Sequence, residues 1–321
     1  MSEPDRNLVQ ELDDQAVAAL LPVREPRAHK GDNGRVLVVA GSLDFAGAGL
    51  LASHAAGRAG AGLVTLAVPR SLQPVVAGRF VEVITLGLPE RAPFEVDADA
   101  CATLLDGIPH DALVLGPGLR RSDANDAMVR ALLAQSGAPA VVDAEALNAL
   151  SRSPGWHEGV RRSCVLTPHP GEFRRLRPDE PGDLAADDDA RERAVREAAA
   201  AWNQVVLLKG ARTVVAGPGG EAARVPFENP ALGTGGTGDV LSGVIGALLG
   251  QRLDPYGAAR VGVYLHGTAG EVIRERLGDS GLLASDLPGE IAHARHRLAG
   301  MRERRVGGGR RVGFAPRGDI A

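Results

Sequence analysis

Residues 229–243 read NPALGTGGTGDVLSG, a glycine-rich loop that runs directly into an apolar helical segment. Glycines carry no side chains, so successive backbone N–H groups of such a loop can surround an anion. The helix that begins near Thr237 adds the positive end of its dipole, and the loop is therefore predicted to bind phosphate. Asp239 stands in the first turn of this helix, where an aspartate either stabilises the helix start or accepts a proton from a substrate hydroxyl. Because a carboxylate beside a phosphate site repels the ligand, we favour the catalytic role.

The glycines of residues 233–238 also satisfy the pattern GxGxxG, but the context does not fit a dinucleotide fingerprint. That fingerprint follows a strand directly and lies in the first βαβ unit. Here a loop that contains Pro230 precedes the glycines, and the motif lies late in the chain. The sequence GxxxxGK[ST] of the P-loop enzymes does not occur. A different phosphate-binding fold is indicated.

Short runs of branched apolar residues recur ahead of this loop. They lack polar alternation, as a parallel sheet covered on both faces requires. The predicted strands are residues 35–40, 63–68, 111–115, 140–143, 164–167 and 205–208. The predicted helices are residues 46–60, 123–135 and 187–202 and a longer set over 237–298. This alternation predicts an α/β fold, a three-layer α/β/α domain with a mostly parallel central sheet. Residues 213–225, around Gly-Pro-Gly-Gly, predict a hairpin at the sheet edge.

The predicted domain covers residues 26–300. Residues 1–25 are interpreted as a leader helix and linker, and residues 301–321, rich in glycine and arginine, as a disordered tail. The N-terminus is acidic and lacks the basic start and apolar run of a signal peptide. The sequence also lacks the run of about 18 apolar residues that a membrane span needs. We expect a cytoplasmic protein without a membrane partner.

Composition argues against several function classes. A net charge of −4 and an aromatic content of 3% give neither the positive field nor the stacking platforms of nucleic-acid-binding proteins. Cys101 and Cys164 stand alone and are predicted to be buried thiols in a reducing compartment. Only two of the 36 basic residues are lysines, Lys30 and Lys209, and each precedes a glycine. Since an ammonium and a guanidinium are not equivalent at a phosphate oxygen, both lysines are candidate functional residues.

Ligands of open parallel sheets bind at the carboxyl ends of the strands. Several predicted strands stop there in loops rich in glycine, proline or carboxylates, at residues 41–42, 116–118, 143–145, 167–172 and 209–210. We expect these loops to converge on one cleft.

Seven segments then occur in the order found in one known family. They are residues 29–69 (HKGDNGRVLVVAGSLDFAGAGLLASHAAGRAGAGLVTLAVP), 115–119 (LGPGL), 141–150 (VVDAEALNAL), 166–176 (LTPHPGEFRRL), 207–215 (LLKGARTVV), 229–243 and 264–271 (YLHGTAGE). Together they resemble the ADP- or ATP-dependent NAD(P)H-hydrate dehydratases, a branch of the ribokinase-like superfamily, over about residues 26–295. The departures are small: Glu145 stands where the family usually has aspartate, and Gly233 where alanine is common.

The resemblance implies a ribokinase-like domain and a metabolite-repair reaction. Its substrate would be NADH or NADPH hydrated on the nicotinamide ring, called NAD(P)HX, with a hydroxyl at C6. ADP or ATP, with Mg²⁺, would phosphorylate this hydroxyl, and the ring nitrogen would then expel phosphate. Asp239 would take the hydroxyl proton while the glycine loop holds the developing phosphate charge.

The resemblance also assigns binding residues. The nucleotide would contact a segment and a loop that comprise Lys209, Gly210, Ala211, Arg212, Thr213, Gly235, Gly236 and Gly238. The substrate would contact Ala48, Gly118 and His169 besides Asp239. Each of the first three also has a structural interpretation, namely helix packing, a turn glycine and a rigid loop between prolines. Glu172 either holds water around Mg²⁺ or caps the helix that follows it, and the sequence assigns no metal ligand.

Two other functions stay open. A small-molecule kinase of the same fold, acting on a thiazole or pyrimidine alcohol, would use the same loop and base. A non-catalytic module that senses nucleotide would keep the fold without the chemistry. The resemblance further implies a homo-oligomer, by analogy a tetramer. Some relatives carry a fused epimerase domain, for which 25 leading residues are too few, so we expect a separate epimerase that acts on the same metabolite.

Overall fold

Buried branched residues build the centre of the computed structural model, which describes residues 9–79, 81–135 and 137–306. The strands are β1 (Gln10–Glu11), β2 (Arg35–Val39), β3 (Leu63–Pro69), β4 (Ile84–Leu88), β5 (Glu90–Ala92), β6 (Glu95–Val96), β7 (Ala112–Leu115), β8 (Ala140–Val142), β9 (Cys164–Leu166), β10 (Val205–Leu208), β11 (Val214–Ala216) and β12 (Ala222–Arg224). Ten of them form one sheet in the order β1-β12-β11-β10-β9-β8-β7-β2-β3-β4, and β5 pairs with β6. The six predicted strands are all present, and the prediction of a mostly parallel sheet is confirmed.

Helices cover both faces of this sheet. They are α1 (Asp14–Leu20), α2 (Ala46–Arg58), α3 (Gln73–Ala77), α4 (Ala98–Asp106), α5 (Asp123–Ala134), α6 (Glu145–Ser151), α7 (Pro170–Leu176), α8 (Asp188–Trp202), α9 (Thr237–Gly250), α10 (Pro255–Leu277) and α11 (Leu287–Val306). Alternate residues of β2 point to opposite faces, so that Val36 and Val38 pack with α2, α9 and α10. Leu37 and Val39 pack with α4, α5 and α6. The three-layer α/β/α fold is confirmed.

The predicted hairpin is formed by β11 and β12, which pair antiparallel. It does not end the sheet, because β1 adds a further strand parallel to β12 through Gln10 and Glu11. At the other end, β4 was not predicted from the sequence. Its Ile84 is 49% exposed, since an edge strand lacks the continuous apolar run that marks a buried one.

The segment interpreted as a leader and linker contributes to the domain from residue 9 onward. Leu12, Val17 and Leu21 are buried in the core that α10 and α11 share. Asp14 accepts hydrogen bonds from Tyr264 at 2.9 Å and from Arg297 at 2.7 Å. These residues therefore pack against the domain from residue 9 onward, and helix α1 (Asp14–Leu20) lies within the segment interpreted as a leader helix and linker.

The C-terminal boundary also differs from the prediction. The tail was predicted to begin at residue 301, but α11 continues to Val306. Met301 packs against the core, and Arg302 donates a hydrogen bond to the Leu21 carbonyl at 2.7 Å, so both residues hold this end of the helix. The remainder of the predicted tail, 307–321, lies outside the described residues. Among the helices that the structure describes, none is long and apolar enough to cross a membrane.

Candidate active site

The glycine-rich loop forms the start of α9 at the carboxyl edge of the sheet. Gly236 immediately precedes the helix with a φ of 91°, a conformation that favours glycine. The Thr237 hydroxyl donates to the carbonyls of Leu232 at 2.8 Å and Thr234 at 2.9 Å, which fixes the turn. No atom lies within 4 Å of the place where a Cβ on Gly235 would stand. The loop therefore leaves open space directly in front of the N-terminus of a 14-residue helix.

Lys209 connects this helix start to the end of β10. Its Nζ lies 2.7 Å from Oδ1 of Asp143 and 3.7 Å from Oε2 of Glu172. The same Nζ lies 3.4 Å from the position of a Cβ built on Gly238. Burial alone would lower the pKa of Lys209, but the charges of Asp143 and Glu172 raise it above its usual value. The lysine thus carries a fixed positive charge over the first turn of α9.

Asp143 is the buried anchor of this arrangement, with 1% of its surface exposed. Its Oδ2 accepts a hydrogen bond from the Ser242 hydroxyl at 2.6 Å. Burial raises the pKa of Asp143, but the charge and hydrogen bond of Lys209, with the hydroxyls of Ser242 and Thr167, bring it below the ordinary value. Asp143 is therefore an ionised, fully engaged carboxylate.

Asp239 has the opposite electrostatic character. Burial and the negative charge of Asp143 raise its pKa from 3.8 to about 7, against the opposing charge of Lys209, and Glu172 raises it further. A carboxyl with a pKa near neutrality both accepts and releases protons at physiological pH. Two carboxyl groups in one cluster thus have different tasks, since Asp143 holds the lysine and Asp239 is a candidate base.

A cavity of about 480 Å³ opens beside this cluster. Five of the residues predicted to bind nucleotide line it, namely Lys209, Gly210, Ala211, Thr213 and Gly238. Its apolar walls come from α9, α10 and the segment that runs from the end of β12 into the glycine loop. They are formed by Val225, Phe227, Pro230, Leu232, Leu241 and Val263. A pocket with apolar walls and charge at one end suits a nucleotide.

Arg212, Gly235 and Gly236 do not line this cavity. The guanidinium of Arg212 is turned to the acidic residues Glu11, at 2.7 Å, and Asp188, at 3.4 Å. Only its backbone belongs to the loop, where the N–H donates to the Phe227 carbonyl at 2.8 Å.

Ala48 and Gly118 lie against each other at the start of α2. A Cβ on Gly118, whose φ is 64°, would stand 2.6 Å from the Ala48 Cβ and 2.7 Å from the Phe45 carbonyl oxygen. The Phe45 side chain is 61% exposed. Gly118 therefore occupies a turn in which only glycine fits beside Ala48.

His169 caps α7. Its Nδ1 accepts hydrogen bonds from the backbone N–H groups of Gly171 at 3.0 Å and Glu172 at 3.4 Å. Glu172 completes a capping box, since its Oε2 accepts from the His169 N–H at 2.9 Å. Burial lowers the pKa of His169, although Glu172 opposes this. The imidazole therefore stays neutral, and its side chain is half-exposed.

Sequence reasoning missed three residues of the site. It gave no role to Asp143 as the partner of Lys209 or to Ser242. It also missed His266, whose Nε2 lies 2.9 Å from the Thr237 carbonyl and whose pKa burial lowers to about 4. The neutral imidazole thus donates to the first turn of α9. The signal for Asp143 was its place at the end of a predicted strand, the same sheet edge that carries Lys209.

Lys30 and Glu145 lie apart from this arrangement. Lys30 is exposed and forms no ion pair among the described residues. Glu145 forms an ion pair with Arg152 at 2.6 Å. Within the described ranges, no group of three or more histidine, cysteine or acidic side chains could hold a metal ion by itself.

Comparison with known proteins identifies the family of the chain. A family model described as NAD(P)H-hydrate dehydratase matches residues 36–293. A bifunctional NAD(P)H-hydrate repair enzyme of Moorella thermoacetica is 46% identical over 270 residues, 83% of this chain and 50% of that protein. The chain thus spans about half the length of the bifunctional relative.

Two relatives of similar length also match. An ADP-dependent (S)-NAD(P)H-hydrate dehydratase of Xanthomonas campestris is 37% identical over 86% of this chain and 93% of its own length. The other is the ADP/ATP-dependent NAD(P)H-hydrate dehydratase from Bacillus subtilis, whose crystal structure was obtained with ATP and Mg²⁺. This structure matches with a TM-score of 0.78 and 31% sequence identity, over 91% of this chain and 99% of that chain. The chain belongs to the NAD(P)H-hydrate dehydratase family.

Proposed function

We propose that this protein dehydrates (S)-NAD(P)HX to NAD(P)H in a reaction that consumes ADP or ATP. The observation that carries the proposal is the placement of Asp239, a carboxyl with a pKa of about 7, between an open glycine loop and the cavity lined by Lys209. Family membership supports the choice of substrate over the thiazole and pyrimidine alcohols of a kinase.

The reaction begins when the C6 hydroxyl of the substrate attacks the terminal phosphorus of the nucleotide. Asp239 accepts the hydroxyl proton, and the bond between the terminal phosphorus and the bridging oxygen breaks. Lys209 and the backbone N–H groups of Gly235, Gly236 and Gly238 stabilise the phosphoryl group in transfer. The lone pair of the ring nitrogen then expels the phosphorylated oxygen as phosphate, which leaves an iminium ion. Loss of a proton from C5 of this ion to water forms the C5–C6 double bond of NAD(P)H, and the shortened nucleotide is the other product.

The remaining residues bind the two ligands. We assign the backbone of Gly210, Ala211, Arg212 and Thr213 to the nucleotide, whereas the Arg212 guanidinium holds the loop to Glu11. We assign Ala48, Gly118 and His169 to the substrate side, where His169 contributes its neutral Nε2 edge and Gly118 leaves room beside the reacting ring.

The charge of the site fits Mg²⁺. Three carboxyl groups, Asp143, Glu172 and Asp239, surround one lysine, and a nucleotide adds further negative charge. Magnesium is bound by one or two carboxylates together with substrate phosphates and water, so a protein cage of three ligands is not required. Asp239 would meet a hydrated ion, whereas Glu172 is engaged by the His169 N–H at 2.9 Å and by Lys209 at 3.7 Å. When bound, the ion neutralises the nucleotide phosphates.

The decisive experiment incubates purified protein with hydrated NADH, Mg²⁺ and either ADP or ATP. We expect the near-ultraviolet absorbance of the reduced nicotinamide to return, with one phosphate released per turnover. A stable phosphorylated alcohol formed from a thiazole or pyrimidine substrate, without NADH formation, would establish the kinase alternative. Nucleotide that is bound but never consumed would establish the sensing module.

Three further proposals concern the setting of the enzyme. We propose a homo-oligomer, supported by Val75, Val81 and Ile84, which are 53%, 96% and 49% exposed near the β4 edge; light scattering after size exclusion gives its mass. We propose that a separate epimerase supplies the (S) epimer. We also propose a cytoplasmic location, which the two buried free cysteines, Cys101 and Cys164, support.

A further inference from the structure

A second cavity lies at the other end of α2 and α9 from Asp239. Its volume is about 670 Å³, which exceeds the 480 Å³ of the nucleotide cavity. Helix α2 carries Ala48 at its start and reaches this cavity with Gly57 and Arg58 at its end. A helix of 13 residues is about 20 Å long. The second cavity is therefore separate from the active site.

Arginines dominate the lining of this cavity. Arg24 comes from the segment after α1, Arg58 from α2, and Arg295 and Arg302 from α11. His296 adds a further basic side chain, and the walls between them are apolar, formed by Leu21, Val23, Ala292 and Ala299. Basic groups from three separate elements thus converge on one concave surface.

These four arginines lack acidic partners. Among the residues that the structure describes, none of them forms an ion pair with a carboxylate. By contrast, Arg297 on the same helix lies 2.7 Å from Asp14, and Arg152 lies 2.6 Å from Asp126. Like charges without counter-charges repel one another. A bound anion would remove this repulsion between the four arginines.

Arg295 places a half-buried guanidinium in the wall of the cavity. It donates to neutral acceptors, namely the Ala59 carbonyl, Gln251 Oε1 at 2.7 Å and the Pro22 carbonyl at 3.4 Å. Burial lowers its pKa, and the charge of Arg24 lowers it further. Gly60 has a φ of 103°, and a Cβ there would collide with Nη1 of Arg295. The chain therefore keeps a glycine where the guanidinium needs the space.

Helix capping explains only part of this arrangement. Arg295 satisfies the carbonyl at the end of α2, and Arg302 donates to the Leu21 carbonyl at 2.7 Å. Arg24 and Arg58 are exposed and bind no carbonyl of the described residues. The Nε of Arg58 donates a hydrogen bond to His54 at 3.4 Å. Two arginines are thus fixed by the fold, and two remain available to a ligand.

We propose that this cavity binds a small molecule that carries two or more linked phosphates. Guanidinium groups bind phosphate oxygens in bidentate pairs, and four of them match the charge of a diphosphate or triphosphate. The apolar walls have room for the organic part of a nucleotide or a similar ester. This site is independent of the reaction proposed above, because it shares no residue with Asp239, Lys209 or the glycine loop.

The test locates the ligand by arginine protection in the full chain. Phenylglyoxal modifies accessible arginines, and peptide mass mapping gives the rate at each position. Pyrophosphate and ADP are the two probes. We expect either probe to slow modification of Arg24 and Arg58 and to leave Arg161 and Arg193 unchanged. Equal protection by both probes would show that the phosphates alone are sufficient for binding. Stronger protection by ADP would show that the apolar walls also contact the organic part of the ligand.

A pair of double variants provides the second measurement. R24Q/R58Q removes two exposed cavity arginines, and R161Q/R193Q removes two exposed arginines elsewhere. Calorimetric affinity for pyrophosphate at the protected site is expected to fall at least about tenfold in R24Q/R58Q, with an unchanged melting temperature. The control should match the wild type. Absence of protection at Arg24 and Arg58, or equal effects of the two variants, would overturn the proposal.

Discussion

The ammonium of Lys209 lies 2.7 Å from the carboxylate of Asp143, and this ion pair lies next to the carboxyl of Asp239. Because Lys209 pairs with Asp143 and not with Asp239, the two aspartates differ in their pKa values. Asp143 is ionised and engaged, whereas Asp239 keeps a pKa of about 7.

Asp239→Asn should reduce turnover on the order of 10²–10⁴-fold. The substitution keeps the size of the side chain but removes the proton acceptor, whose contribution to catalysis typically has this magnitude. Steady-state kinetics with hydrated NADH measures the loss, and nucleotide affinity should be equal or tighter, because one negative charge leaves the site. Near-normal turnover would exclude Asp239 as the base.

The activity of the wild type should rise with pH through about 7. A general base acts in its ionised form, and the pKa of Asp239 is raised to about 7. The expected profile of kcat/KM therefore falls about tenfold per pH unit below that value. A profile that is flat on both sides of pH 7 would contradict the raised pKa of Asp239.

The same substitution should change stability in a pH-dependent way. Between the unfolded value of 3.8 and the folded value of about 7, the native state binds more protons, so the wild type loses stability as pH rises across this window. Asp239→Asn avoids that loss. Its advantage in the free energy of unfolding should grow over this window, level off above pH 7 and reach no more than about 4 kcal/mol. Urea unfolding at several pH values measures it.

Lys209→Ala should destabilise the protein as well as weaken nucleotide binding. Removing the lysine leaves Asp143 as a buried charge without a cation, at a cost of about 3–5 kcal/mol. Lys30→Ala, at an exposed position, is the matched control and should change neither property.

A double variant separates these two effects of Lys209. Lys209→Ala with Asp143→Asn should recover much of the stability, because no unpaired buried charge remains, but should not recover nucleotide binding. Recovery of both properties would mean that Lys209 has no contact with the nucleotide.

Two neighbouring glycines distinguish phosphate binding from backbone geometry. Gly235→Ala adds a methyl group in open space, so the melting temperature should hold while nucleotide affinity falls. Gly236→Ala places a Cβ 2.7 Å from Leu51 Cδ1 at a φ of 91°, so it should destabilise the fold by about 1–3 kcal/mol. Thermal unfolding and calorimetric titration of both variants test the distinction.

The sequence predicted the buried strands because each is a continuous apolar run, as in β2 and β10. It did not predict β4, whose half-exposed residues resemble a loop. The glycine loop and Lys209 were found because glycine spacing and lysine rarity are local signals. The pairing of Lys209 with Asp143 spans 66 residues, and a pattern within one segment does not contain it. Arg212 was likewise assigned to nucleotide binding because it lies in the family motif. Its side chain instead forms an ion pair with Glu11, which is 201 residues away in the sequence.

The short strand β1 limits how far the protein can be truncated from its N-terminus. The family motifs begin after residue 26, which invites an expression boundary there. A cut at that point would uncover the backbone of β12, and an open edge is a template for pairing with another molecule. It would also release Arg212 from Glu11 and loosen the segment that holds the nucleotide. A shortened chain should therefore aggregate on purification, and fusion partners are better attached ahead of residue 9.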